Sequence, residues 1–201
     1  MKYYKINGGY YLSGDVYISG SKNSTLPIIC ASLIFRKKVC LYNVPNIKDV
    51  NVLLDILKNN GVDITFNDDY LIIDSSELDN NVIKDCLCSK LRASYYLLGS
   101  LVNLFDSVEI TKQGGCNIGD RPIDLHKSVF EQLGYEFIED DIGYKVIKKN
   151  KSKRVVRFSK VSMGATINGI LASLKERYVR FKNVSFEPEV DDLISFFNKI
   201  F

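Results

Sequence analysis

The chain repeats itself. Three clusters of polar and small residues each open an apolar helical pattern: Ser21-Lys22-Asn23-Ser24, Leu91-Arg92-Ala93-Ser94 and Ser162-Met163-Gly164-Ala165-Thr166. Lys22 to Arg92 spans 70 positions, and Arg92 to Ser162 spans 70 again. A short strand-like run follows each cluster, at Val39 to Asn43, Val108 to Thr111 and Val179 to Lys182, offset by 69 and 71 positions. A second helix then opens with acidic residues or proline near its start, at Asn46-Ile47-Lys48-Asp49, Asp120-Arg121-Pro122-Ile123-Asp124 and Glu187-Pro188-Glu189-Val190-Asp191. A period held this closely marks one supersecondary unit copied along the chain.

Val50, Leu53, Leu54 and Leu57 share a face at i, i+3, i+4, i+7 spacing, so the second helix is amphipathic. In the first two copies it ends at a glycine, Gly61 or Gly134, suited to the left-handed residue after a helix. Alternating runs then predict hairpins: Val62 to Phe66 with Tyr70 to Ile73, and Tyr135 to Ile138 with Tyr144 to Ile147. The unit is therefore β-α-β-α-β-β, and the fold class is α/β. The third copy stops after its second helix, from Val190 to about Lys199. By the chain's own period roughly 12 to 15 residues of sheet would follow. The expectation is a longer polypeptide, or a second chain that supplies those strands, since an open sheet edge is an aggregation hazard.

Composition narrows the function classes. Of 201 residues 46% are apolar and 25% charged, which is globular and excludes a disordered tail. Lys+Arg 27 against Asp+Glu 24 leaves +3, too balanced for a protein that coats nucleic acid. No apolar run approaches the ~20 residues of a membrane span, and the start, Met1-Lys2-Tyr3-Tyr4, lacks a signal peptide's pattern. Five cysteines without CxxC pairs point to a reducing cytoplasm and to no metal site. Cys30 and Cys40, inside apolar runs, are expected as small core residues.

The helix starts carry the candidate chemistry. Free N–H groups and the positive dipole end make each an anion site in principle. Several add a cation or hydroxyl: Lys22 with Ser21 and Asn23, Arg92 with Ser94, and Arg121. Taken singly, such residues are more often plain caps; three related starts favour convergence on an anionic ligand. Gln113 to Pro122 holds three glycines in a loop able to approach a ligand closely. A thiol there, Cys116, near Arg121 and Lys22 would have a lowered pKa and suit proton transfer. His126, the single histidine, reads as a polar cap or ligand contact more readily than as a base.

These residues resemble a known family. Ser19-Gly20-Ser21-Lys22-Asn23, Leu91-Arg92-Ala93-Ser94, Gly114-Gly115-Cys116, Gly119 with Arg121 to His126, Ser162 to Thr166 and Glu187-Pro188-Glu189 fall in the order and spacing of the bacterial UDP-N-acetylglucosamine 1-carboxyvinyltransferases, which are enolpyruvyl transferases. The resemblance covers the whole chain but about the first half of a family member. It implies an inside-out α/β barrel of three units, incomplete in the third, over residues 21–201. Residues 1–20 would be a strand segment belonging to the family's other domain. It further implies that Lys22 and Asn23 meet phosphoenolpyruvate, with Arg121 adding charge at its phosphate. Arg92, Arg121, Pro122, Ile123, Asp124, Leu125, Lys160, Val161, Ser162 and Met163 would contact the UDP-sugar. Cys116 would be the proton donor and the residue fosfomycin alkylates. The implied reaction is the first committed step of peptidoglycan synthesis, needing no cofactor and serving cell shape and division.

The family's general base lies in the half this chain lacks, so the resemblance implies at most trace turnover by the chain alone. A non-catalytic nucleotide-sugar or anion-binding module is the alternative reading, and a degenerate structural fragment a weaker third.

Overall fold

The computed structural model describes residues 2–112, 123–149 and 152–200. The first unit runs α1 (Lys22–Ser32), β1 (Lys38–Leu41), α2 (Lys48–Asn59), β2 (Asp63–Asn67) and β3 (Tyr70–Asp74). The second runs β4 (Val82–Ile83), α3 (Tyr96–Leu101), β5 (Ser107–Thr111), α4 (Asp124–Gln132), β6 (Tyr135–Glu139) and β7 (Gly143–Lys148). The third has β8 (Val155–Arg157), α5 (Met163–Ala172), β9 (Arg180–Lys182) and α6 (Pro188–Ile200). The period read from the sequence is thus the period of the elements.

Local chemistry explains the boundaries. At the end of α2 the Gly61 N–H donates to Lys58 O and the Val62 N–H to Leu57 O, with Gly61 at φ 87°. That pair of bonds closes the helix as glycine-terminated helices do, because only glycine adopts this conformation without strain. The expected hairpins form, with Ile64 opposite Ile73 and Phe137 opposite Val146.

The strands form three sheets, ordered β1-β3-β2, β4-β5-β7-β6 and β8-β9. In the second and third, the strand before the first helix lies parallel to the strand after it. The described residues form no closed barrel. Residues 2–20 form no regular element, and Tyr3, Tyr4, Tyr10, Tyr11 and Tyr17 are exposed there. Gly20 packs so tightly on the Asn43 carbonyl oxygen that a Cβ at that position would collide with it.

Helices fill the interior. All six α3 residues are buried, as are Leu26, Ile29, Cys30 and Ala31 of α1 and Ala165, Ile167, Leu171 and Ala172 of α5. The second helix of one unit rests on the opening of the next: α2 on the turn at Cys86–Lys90, α4 on α5, and α6 on α1. Phe35, between α1 and β1, meets Phe196 at 6.0 Å and Phe197 at 6.2 Å in that last contact. Val50, Leu53, Leu54 and Leu57 are all buried, as their spacing requires.

Two expectations need correcting. Cys40 is exposed, because the alternation of β1 turns Val39 inward and Cys40 outward. The middle cluster opens a tight 3-10 turn, Arg92–Tyr95, before the six residues of α3, with no side-chain cap. Ser94, wholly buried, donates its hydroxyl backward to Leu91 O at 2.8 Å and so offers nothing to a ligand.

Candidate functional site: two helix-start clusters

Around the start of α1, three helix openings meet. Ser21 caps α1, its Oγ accepting from the Ser24 N–H at 3.4 Å. Lys22 Nζ pairs with Asp49 of α2 at 3.0 Å. Asn23 Nδ2 donates to Glu189 at 3.4 Å, and Ser24 Oγ to Asp192 at 2.6 Å, both on α6. Asp49 and Glu189 sit in first helical turns, where negative charge complements the dipole. The Lys22 ammonium is half exposed, and an ion pair of that kind is worth only about 0.2–1 kcal/mol. Lys22 is therefore oriented by a weak pair and keeps about half of its side chain open to solvent.

The second cluster joins units two and three. The guanidinium of Arg92 lies 5.7 Å from the Tyr95 ring centroid, and the His126 ring lies 4.4 Å from the same ring. Gly164 leaves room for both: a Cβ there would stand 2.5 Å from Tyr95 Oη and 3.2 Å from His126 Cε1. Tyr96 donates its hydroxyl to Met163 Sδ at 3.5 Å. Asn168 Nδ2 donates to Tyr95 O at 3.2 Å and lies 3.0 Å from His126 Nδ1. Burial pushes His126 from 6.5 down to about 3, and the nearby Arg92 charge pushes the same way, so the imidazole is neutral at physiological pH.

Arg92, the α4 opening and Met163 are thus brought together, whereas Lys22 and Asn23 belong to the α1–α2–α6 meeting point. Ile123 is buried, Leu125 half-buried and Asp124 exposed at the start of α4. Ser162 caps α5 by accepting from the Ala165 N–H, and Lys160 and Val161 are exposed just before it. Cys116, Arg121 and Pro122 lie outside the described residues. Sequence reasoning missed Asp49, Tyr95, Asn168 and Asp192. Asn168 had a signal, an amide in an otherwise apolar helix; Asp49 and Asp192 had none, being 27 and 168 positions from their partners.

A cleft of about 450 Å³ beside α1 is lined by Ser21, Ser24, Ile28, Leu41, Tyr42 and Phe196, among others. A smaller one of about 240 Å³ crosses the second sheet at Lys84, Glu109 and Tyr144. Among the described residues no helix is long and apolar enough to cross a membrane.

Residues 6–200 match the family described as EPSP synthase (3-phosphoshikimate 1-carboxyvinyltransferase). The chain belongs to this family. Among curated members it is 40% identical over 194 residues to a UDP-N-acetylglucosamine 1-carboxyvinyltransferase of Wolbachia pipientis subsp. Culex pipiens, covering 92% of this chain and 46% of that one. The enzyme of the same name from Campylobacter jejuni subsp. doylei is 36% identical over 194 residues, covering 96% and 46%. This family chain spans about half the length of the curated relatives it matches. In fold it is similar to the enolpyruvyl transferase NikO from Streptomyces tendae, with TM-score 0.78, 20% identity, and 95% of this chain on 45% of that one. EPSP synthase from Acinetobacter baumannii aligns at TM-score 0.54 and 13% identity, over 80% of this chain and 38% of that one.

Proposed function

We propose that this chain supplies one substrate-holding half of an enzyme that transfers the enolpyruvyl group of phosphoenolpyruvate to the 3′-hydroxyl of UDP-N-acetylglucosamine, in the cytoplasm, at the head of peptidoglycan synthesis. The names of the curated relatives support the substrates. The observation that carries the reading is the pair of cation-bearing openings, Lys22 with Asn23 and Arg92 with Met163, each held by buried or capped neighbours. Two substrates with separate anionic groups suit two such openings.

In the reaction the enol methylene takes a proton, C2 becomes cation-like, and the sugar oxygen adds to it as its hydroxyl proton passes to the general base of the other half. A proton is then lost from the methyl carbon and phosphate departs. Lys22 and Asn23 hold the phosphoenolpyruvate anion, and Arg121 adds charge to it. Arg92, with Arg121 to Leu125 and Lys160 to Met163, grips the nucleotide sugar. Cys116 delivers the proton, and for that reason it is the residue an electrophile such as fosfomycin would capture. Fixed cations lower the cost of charge development throughout.

The packing of each second helix on the next unit, with α6 returning to α1, supports an inside-out, three-unit arrangement. In this reading residues 1–20 pair within the family's other domain, and the remaining strands and general base come from the missing half, continuous or on a second chain. Without that half, substrates are neither fully oriented nor shielded from water.

Calorimetric titration of the purified chain with UDP-N-acetylglucosamine, then a phosphate-release assay with phosphoenolpyruvate, tests the proposal. Binding with trace turnover is expected. No binding sinks it, and brisk turnover refutes the need for a second half.

A further inference from the structure

The core spacing of the second helices aligns Val50, Leu53 and Leu57 of α2 with Ile123, just before α4, and His126 and Phe130 within it, and with Val190, Leu193 and Phe197 of α6. Two copies place leucine at the middle position. The copy beside Arg92 places the single histidine, 4% exposed.

Its protonation follows from its neighbour. The amide of Asn168, wholly buried, has its nitrogen 3.2 Å from Tyr95 O, which is an acceptor only. A flipped amide would set two acceptor oxygens face to face, so the nitrogen is correctly placed. One amide proton goes to Tyr95 O and the other points at His126 Nδ1, 3.0 Å away. Nδ1 must therefore accept, and the ring proton sits on Nε2. The remaining Asn168 oxygen is buried and unpartnered, facing Gly99, so the amide gains nothing there by turning round.

We infer that His126 is a positioning residue: Asn168 locks it as the uncharged Nε2–H tautomer so that it can pack on Tyr95 without competing with Arg92 for that ring. An imidazolium 4.4 Å from Tyr95 would contend for the same ring and repel the guanidinium. Among the described residues, Tyr95 on the 3-10 turn and Asn168 and Gly164 on α5 lie against the ring, and the charge that acts on it is that of Arg92. The lock keeps the direction of Arg92 independent of pH. Its link to ligand binding rests on the reading of Arg92 as a nucleotide-sugar contact; the lock itself does not.

With one histidine in the chain, its ring nitrogens are read without assignment in a long-range ¹H–¹⁵N spectrum of the tag-free protein. From pH 8 to pH 5 we expect one unprotonated nitrogen at Nδ1 and one protonated at Nε2, unchanged. Averaged signals, a proton on Nδ1, or a midpoint near 6.5 overturn the lock. In Asn168→Leu we expect the histidine to titrate at higher pH and the ring-current shift of the Arg92 side-chain protons to collapse below that midpoint. UDP-N-acetylglucosamine affinity should then fall about tenfold on acidification in the variant and stay flat in the parent. A ring-current shift or pH profile unmoved by the variant refutes the positioning role. Failure of the parent chain to bind the sugar at all defeats the proposed function instead, and the two spectroscopic results still decide the lock. Should Asn168→Leu not fold, Asn168→Ser serves for the same readings.

Discussion

Ser24 of α1 donates its hydroxyl to Asp192 of α6 at 2.6 Å, tying the first unit to the third across 168 positions of sequence. Ser24 is nearly buried, and hydrogen bonds to charged acceptors contribute about 1.5–3 kcal/mol. Ser24→Ala should therefore lower stability by about 2 kcal/mol in urea unfolding. A variant as stable as the parent would show the bond to be idle.

His126 makes the fold acid-sensitive. The unfolded chain binds its proton near 6.5, the folded chain only near 3. Between those values the unfolded state holds more protons, so stability falls with pH, at up to about 1.4 kcal/mol per unit. His126→Leu, borrowing the side chain that Leu53 and Leu193 use at the matching position, should flatten that slope. Unfolding midpoints at pH 7, 6, 5 and 4 give the comparison, and parallel curves for the two proteins would contradict it.

Lys22→Ala should separate binding from stability. Losing a half-exposed pair with Asp49 costs at most about 1 kcal/mol in a melt. Retention of phosphoenolpyruvate should nevertheless drop by tenfold or more, as expected for a charge-assisted contact. Equal retention by variant and parent would remove Lys22 from the site.

Thiol reactivity should divide the described cysteines into two classes. Cys30 and Cys88 are buried, and burial pushes both thiols up, Cys88 to about 11. Cys40 and Cys86 are exposed. Mass mapping after brief alkylation of the native chain should find Cys40 and Cys86 modified, and Cys30 and Cys88 only after unfolding. Early labelling of Cys30 would contradict the packing of α1.

Periodic features were legible in the sequence because they are local. The face of α2, the glycine at its end and the two hairpins each follow from spacing within a few turns of chain. The polar links were not legible, since nothing near Ser24 announces Asp192 and nothing near Lys22 announces Asp49. Cys40 was misread because an apolar run hides the two-residue alternation of a strand, and the opening of the middle cluster because it resembles a cap while the chain there coils more tightly than an α-helix. The expected gathering of Lys22, Cys116 and Arg121 falls partly outside the described residues, so its test is chemical.

The return of α6 onto α1 changes how the molecule should come apart. A linear array of repeats frays from its terminal copy inward. Here the last copy leans on the first, so no copy is terminal in that sense, and loosening one strips support from both neighbours. Melting should accordingly be a single cooperative event, with amide protons in all three copies released together.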